Sequence, residues 1–256
     1  MNLYRSARNF AGKVRQRLRV RKWKGHCPVC EAPTRFVALG RYYRDQLYCT
    51  RCWTIPRERA LMRVLQTFYP DWRSLRIHES SPGEHGTSKK LAGECAHYTA
   101  SQYVPHLPSG SAWNGASVQD LARQTFTDES FDIVVTQDVF EHLLEPAEAI
   151  REIVRTLKPG GAHIMTVPIQ NKERPSERRA RLSGGRIEHL KEPQYHDNPL
   201  GGGSLVTVDW GYDIADYLTA HSGCPTTIHT IDDIEQGIRA ELIEVVVTRK
   251  SAVPEI

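Results

Sequence analysis

Nowhere in its 256 residues does the chain carry an apolar run near the length that crosses a bilayer. A transmembrane helix is therefore not expected. No signal-peptide pattern opens it either, so a cytoplasmic location with reduced thiols is the expectation, extended at most to peripheral attachment at a membrane. Internal repeats and low-complexity tracts are missing, which argues against a solenoid or a disordered chain. Cysteine is scarce: of six, four fall in two close pairs, and the isolated Cys95 and Cys224 read as plain buried thiols. Acid is absent from residues 1 to 25, which hold nine Lys or Arg; since the whole chain is only +4, the remainder is at −5. The basic character belongs to that tail and not to the body. What is present, 39% hydrophobic and 25% charged residues, suits a globular domain plus a small module.

Within the tail, Leu3, Ala7, Phe10, Val14 and Leu18 recur at spacings of three and four. Residues 1 to 25 are thus expected to form a basic amphipathic helix. Such a segment can lie on an anionic membrane surface, grip RNA, or pack on its own domain. Residues 26 to 56 differ in kind. Cys27-Pro28-Val29-Cys30 and Cys49-Thr50-Arg51-Cys52 are two CxxC knuckles, with a hairpin-like stretch, Arg35 to Tyr48, between them. Four thiolates so spaced can close a tetrahedral zinc site, and about thirty residues need such a staple to hold a fold. The segment resembles a zinc ribbon. With all four positions taken by cysteine the zinc would be structural. A connecting helix is expected over residues 57 to 71, its apolar side formed by Ala60, Leu61, Val64, Leu65 and Phe68.

The most informative stretch runs from Gln119 to Pro168. Ile133-Val134-Val135 reads as a strand buried on both faces. Pro146 suits the first turn of a helix, and Ile150, Ile153, Val154 and Leu157 give that helix one apolar stripe. Lys158-Pro159-Gly160-Gly161 ends it, and His163 to Val167 forms the next strand. The order Phe131-Asp132-Ile133-Val134-Val135, then Asp138-Val139-Phe140-Glu141-His142, then Leu157-Lys158-Pro159-Gly160-Gly161 resembles the centre of class I S-adenosylmethionine-dependent methyltransferases. The similarity extends over roughly residues 72 to 250, with residues 169 to 209 as an insertion on the acceptor side. It implies a seven-stranded, doubly wound (Rossmann-like) α/β sheet behind the ribbon, with S-adenosylmethionine bound at the carboxyl edge of its strands.

Site residues follow from the resemblance, position by position. Glu79 would end strand one and receive the cofactor's amino group, with Gly83 and Gly86 forming the loop beside it. That loop is spaced G-x-x-G, wider than the family's usual G-x-G. After strand two the family places an acid on the ribose, whereas His97 to Tyr103 contains none, so Ser101 or Gln102 would serve with neutral hydrogen bonds. Asp120 and the backbone of Leu121 would meet the adenine, and Gln137 and Asp138 would face the crevice. Adjacent helix residues diverge, so the Glu141-His142 pair reads as a poor two-ligand metal site, with one of the two facing the acceptor or closing over the sulfonium. His142 is the candidate general base and His196, in the insertion, a candidate contact to the acceptor.

Together these features set the expected function as methyl transfer to O or N of a small-molecule, saccharide or lipid-linked acceptor. An RNA methyltransferase using ribbon and tail is one alternative. A non-catalytic binding protein with a degraded cofactor loop is the other.

Overall fold

The computed structural model describes residues 20–198 and 201–252. Most of the basic tail, residues 1 to 19, lies outside the described residues. A first antiparallel sheet joins β1 (Arg21–Cys27), β2 (Ala32–Ala38) and β3 (Leu47–Cys49), with Phe36 opposite Cys49. It takes in Arg21, Lys22 and Lys24, which were expected to be tail. Their strand register to Ala38, Val37 and Arg35 explains why: pairing with β2 extends past Cys27. A single helical turn, Tyr43–Gln46, bridges β2 and β3. Helix α1 (Pro56–Phe68) follows, opened by Pro56 and by Glu58 accepting from the Ile55 amide.

The large sheet is built from β4 (Arg76–Ser80), β5 (His97–Gln102), β6 (Ala112–Trp113), β7 (Ala116–Val118), β8 (Phe131–Gln137) and β9 (Leu157–Thr166). Helix α2 (Gly86–Glu94) links β4 to β5, and α3 (Pro146–Thr156) links β8 to β9. An insertion then runs through β10 (Ile169–Asn171), β11 (Glu177–Arg178), β12 (Ala180–Ser183), β13 (Arg186–His189), β14 (Tyr195–His196), β15 (Ser204–Leu205) and β16 (Val208–Gly211). The chain returns through α4 (Ile214–Ser222), β17 (Thr226–His229) and β18 (Val245–Arg249).

Strand order in the large sheet is β17-β18-β9-β8-β4-β5-β7-β6. The five strands from β9 to β7 are parallel, and β17, β18 and β6 pair antiparallel. Seven strands were expected and eight are present; the eighth is the two-residue β6, folded back on β7 at the edge through a turn at Asn114 and Gly115. Trp210 is a buried residue of strand β16, and the last helix begins at Ile214.

The β-branched run of β8 is fully buried and divides between two cores. Ile133 and Val135 face one with Leu61, Leu65 and Trp72 of the α1 side; Val134 faces the other with Ile150, Ile153 and Trp210. At about 1.5–3 kcal/mol per fully buried aliphatic side chain, this strand is a large fraction of the sheet's stability. The ribbon's own apolar residues, Cys27, Val29, Phe36 and Leu47, belong to the first core and are continuous with it. Arg59 fastens the joint. Buried, it donates to the carbonyls of Leu47 (2.8 Å) and Gly237 (2.7 Å), one on each side.

Candidate active site

The four ribbon cysteines converge as their spacing suggested. Cys27 and Cys52 sulfurs lie 3.7 Å apart, Cys30 and Cys49 3.9 Å, and all four sit within 4.8 Å of one another without a disulfide. A zinc–thiolate bond of about 2.3 Å gives a tetrahedron whose edge is about 3.8 Å, so the set has the dimensions of a closed four-sulfur site. Hydrogen bonds from neighbouring thiols, Cys27 first, together with the Thr34 hydroxyl, hold the Cys49 thiol well below its ordinary pKa.

A crevice of about 1250 Å³ opens at the carboxyl edge of β4, β5, β7 and β8. One half of it is framed by Ser80 to Gly83, Gln102, Asp120, Leu121 and Gln137, the half expected to take the cofactor. The loop after β4 is pinned close to the sheet: the Ser81 amide donates to Ser101 O at 2.7 Å and the Gly83 amide to Ser88 Oγ at 3.1 Å. Ser81 holds a left-handed backbone, φ 55°, that usually calls for glycine. Gly86, φ 60°, has no such freedom to change, since a Cβ there would collide with the Glu58 carboxylate.

Three expected contacts lie elsewhere: Gly86, which opens helix α2 away from the crevice wall, Glu79 and Ser101. Glu79 is fully buried beneath the loop and is not on the crevice wall. It accepts from Ser88 Oγ (2.6 Å), Tyr98 OH (2.8 Å) and Gln137 Nε2 (2.8 Å), so its role is to hold those donors in place. Burial pushes its carboxyl pKa up against the pull of the three donors. Ser101 also points inward, 2.8 Å from His78 Nε2, because its strand neighbour Gln102 takes the crevice side. Gln102, Asp120, Leu121 and Gln137 do line the crevice. Asp120 receives the Ala122 amide at 2.9 Å and pairs with Arg123, an arrangement that keeps the loop turned towards the cavity.

The other half, expected to face the acceptor, is built from three distant segments. Asp138 ends β8 with φ 52° and meets two ribbon-side arginines, Arg44 at 2.6 Å and Arg57 at 3.0 Å. Burial alone would raise its pKa, but the two guanidiniums hold the carboxyl below the ordinary aspartate value. Glu141 and His142 follow on a single 3₁₀ turn. The insertion is stitched over that turn: Thr207 donates its amide to Glu141 O (2.7 Å) and its hydroxyl to Leu143 O (2.6 Å). Pairing of β14 with β15 then sets His196 beside His142, ring centres 5.0 Å apart and nearly perpendicular. The two histidines predicted from sequence are therefore brought together. Burial lowers the pKa of both, leaving neutral imidazoles near neutrality.

Sequence reasoning passed over Arg44, Arg57 and the role of Glu141. The arginines lie 94 and 81 positions before Asp138, and no local pattern connects them. Glu141 had a signal, its place directly before His142, but its burial arises only when the insertion folds over it.

Comparison with known proteins agrees with this geometry. Residues 82–165 match a family described as a methyltransferase domain. Over 108 residues, 42% of the chain, it is 29% identical to a glycine/sarcosine/dimethylglycine N-methyltransferase from Actinopolyspora halophila. Over 106 residues, 41% of the chain, it is 29% identical to a probable S-adenosylmethionine-dependent methyltransferase from Mycolicibacterium smegmatis. These matches span only 18% and 37% of the two relatives. In fold, the chain is similar to an S-adenosylmethionine-dependent methyltransferase from Mesorhizobium loti, with TM-score 0.50 and 15% identity, covering 75% of this chain and 98% of that one. Residues 82–165 thus resemble a methyltransferase domain, and the large sheet has the Rossmann-like fold of such enzymes.

Proposed function

We propose that the chain transfers a methyl group from S-adenosylmethionine to an O or N atom of a small-molecule or saccharide acceptor held between ribbon and insertion. The observation that carries this is the two-part crevice. Its volume of about 1250 Å³ exceeds the roughly 300–1,000 Å³ typical of a single small-ligand site. Cofactor-edge residues line one half, and a pair of neutral histidines lines the other. When bound, the cofactor supplies an electrophilic sulfonium methyl.

Gln102, Asp120, the Leu121 amide and the loop at Gly83 would hold the cofactor. Gln137, itself fixed by Glu79, would fix the loop's far side. Alignment of the acceptor against the methyl is expected to provide most of the rate, with His142 or His196 taking up the acceptor's proton or its charge. Several features favour a small acceptor over RNA. Arg44 and Arg57 are occupied by Asp138 and Asp45, and Arg59 is buried on carbonyls. The ribbon cysteines would hold one structural zinc, which fixes the segment carrying Arg44 at the mouth of the crevice; protein purified under reducing conditions that contains no zinc would remove this part.

Calorimetry with S-adenosylhomocysteine tests the function. Wild type should bind, and Asp120→Ala should bind more weakly by about 1.5–3 kcal/mol, the scale of a charged hydrogen bond. A folded wild type that binds neither S-adenosylmethionine nor S-adenosylhomocysteine would make the domain a non-catalytic relative.

A further inference from the structure

Glu141 has 1% of its surface exposed, and neither of its carboxylate oxygens receives a hydrogen bond among the described residues. An ionised carboxylate buried without a partner is costly by several kcal/mol, so such a group normally answers to a cation or a donor. The nearest charged neighbour, Asp138, is already taken by Arg44 and Arg57 and has the same sign. What does face Glu141 is a pair of imidazole nitrogens: His142 Nε2 at 3.7 Å and His196 Nδ1 at 3.8 Å, both from Oε1. All three residues offer a ligand atom within 4.8 Å of the others, and all three line the crevice.

We propose that Glu141, His142 and His196 bind a divalent transition-metal ion whose open positions take an oxygen of the methyl acceptor. Metal–ligand bonds of about 2.0–2.2 Å bring donor atoms to roughly 3–3.6 Å of one another, so a contraction of a few tenths of an ångström brings Oε1 to ligand spacing from each imidazole nitrogen. The orientation of His142 supports it independently. Its Nδ1 lies 2.9 Å from Leu205 O, which fixes the proton on Nδ1 and leaves the Nε2 lone pair directed at the cluster. A ligating histidine with its other nitrogen bonded to a carbonyl is the usual outer-shell arrangement of a metal site.

Two imidazoles and one carboxylate select ions such as Mn²⁺, Fe²⁺, Ni²⁺ or Zn²⁺ over Ca²⁺ or Mg²⁺. Three protein ligands on one side leave positions open, the pattern of a catalytic centre, in contrast to the closed four-cysteine set. With both histidines serving as ligands, an acceptor hydroxyl on such an ion would lose its proton more readily to water in the crevice, the ion meeting the resulting charge in place of the imidazoles, and an acceptor with two neighbouring oxygens would be held in one orientation. The inference rests on the crevice being a methyl-transfer site, and it narrows the acceptor to an oxygen-bearing molecule.

The test uses the full chain with zinc in its cysteine site and loosely held metal removed by dialysis. Mn²⁺ alone is titrated in and the free aquo ion followed by electron paramagnetic resonance, thiolates being poor ligands for Mn²⁺. Ni²⁺ binding is measured by calorimetry, and S-adenosylhomocysteine binding on the same samples. One ion of Mn²⁺ or Ni²⁺ per chain is expected, with affinity falling at least about 10-fold in Glu141→Gln and in His196→Ala. S-adenosylhomocysteine affinity should be unchanged in both. His196 sits on a two-residue surface strand pair, so its variant remains informative should the Glu141 variant misfold. Wild type that binds S-adenosylhomocysteine but takes up neither ion overturns the metal site alone. Metal uptake without S-adenosylhomocysteine binding would instead keep the ion site and remove the methyl-transfer reading. An ion that binds equally well to both variants overturns the assignment of these ligands.

Discussion

Glu79 and Glu141 are both buried carboxylates just past or at the carboxyl ends of neighbouring strands, yet their surroundings are opposite. Glu79 accepts three hydrogen bonds between 2.6 and 2.8 Å from donors on three elements. Glu141 accepts none among the described residues and faces two imidazoles. A fully partnered buried carboxylate specifies structure: it fixes Ser88, Tyr98 and Gln137 and through them the loop at Gly83. An unpartnered one is ionised only at a cost, so burial, and then the Asp138 charge, push its pKa up until a proton or a ligand answers it. The cofactor half of the crevice should therefore fail by losing stability, the acceptor half by losing chemistry.

The largest effect concerns the sheet interior beneath the cofactor half, which holds its polar groups in neutral form. His78 and His163 are buried in β4 and β9, each bonded through Nε2 to a hydroxyl, of Ser101 (2.8 Å) and Thr136 (2.9 Å). Burial pulls both down to about 3 from an ordinary 6.5. The unfolded chain thus takes up protons below 6.5 that the folded chain refuses. Their contribution is fully present above pH 6.5 and is lost as pH falls towards 3, by at most about 5 kcal/mol per histidine. The half-buried His142 and His196 contribute a slope of the same sign, so it is the difference between wild type and a variant lacking both rings, followed by denaturant unfolding between pH 6.5 and 4.5, that isolates it. A His78→Gln, His163→Gln double variant should show a flatter profile there. Equal slopes for variant and wild type would mean that the folded sheet protonates these rings.

Next in size is Glu79 itself. Glu79→Ala leaves three donors without their acceptor in a buried place, which should cost about 3 kcal/mol or more of unfolding free energy. Glu79→Gln retains part of the network and should cost less. S-adenosylhomocysteine affinity should fall along with stability, because Ser88 no longer holds the Gly83 amide. A loss below about 1 kcal/mol in the alanine variant would erase the distinction between the two carboxylates.

How far each half could be read from sequence follows the same division. The sheet was legible because its information is local: the Ile133–Val135 run, Pro146 at a helix start and the glycines after Lys158 act within a few residues. The CxxC pairs were legible for the same reason, four like ligands at fixed spacing. Glu79 was found but its direction was not, since a strand-end acid looks alike whether it meets a ligand or a buried serine. Ser101 and Gln102 show the problem in small: alternation along β5 sends one inward, and only the strand's register says which. The eighth strand escaped notice because two residues carry no periodicity. Most opaque was the acceptor half. Arg44, Asp138, Glu141 and His196 come from segments up to 152 positions apart, joined by one ion pair across the fold and by backbone hydrogen bonds that any residue could make.

The smallest stability effect is expected at Glu141, and it is the sharpest way to break the comparison. Glu141→Gln keeps the shape and puts a neutral amide where burial, and then the Asp138 charge, push the carboxyl pKa well up and favour its neutral form in the metal-free protein. Exchanging one neutral buried group for its isostere changes little, so the unfolding free energy should stay within about 1 kcal/mol of wild type. Turnover with the true acceptor, in contrast, should fall by roughly 100-fold or more if the carboxylate serves the reacting oxygen. The two readouts must separate for the argument to hold. A Glu141→Gln protein as destabilised as Glu79→Ala would show that the side chain has hidden structural partners. Unchanged turnover would show that the cluster over the crevice is a fold contact between the insertion and the 3₁₀ turn, leaving His142 and His196 with no part in the chemistry through Glu141.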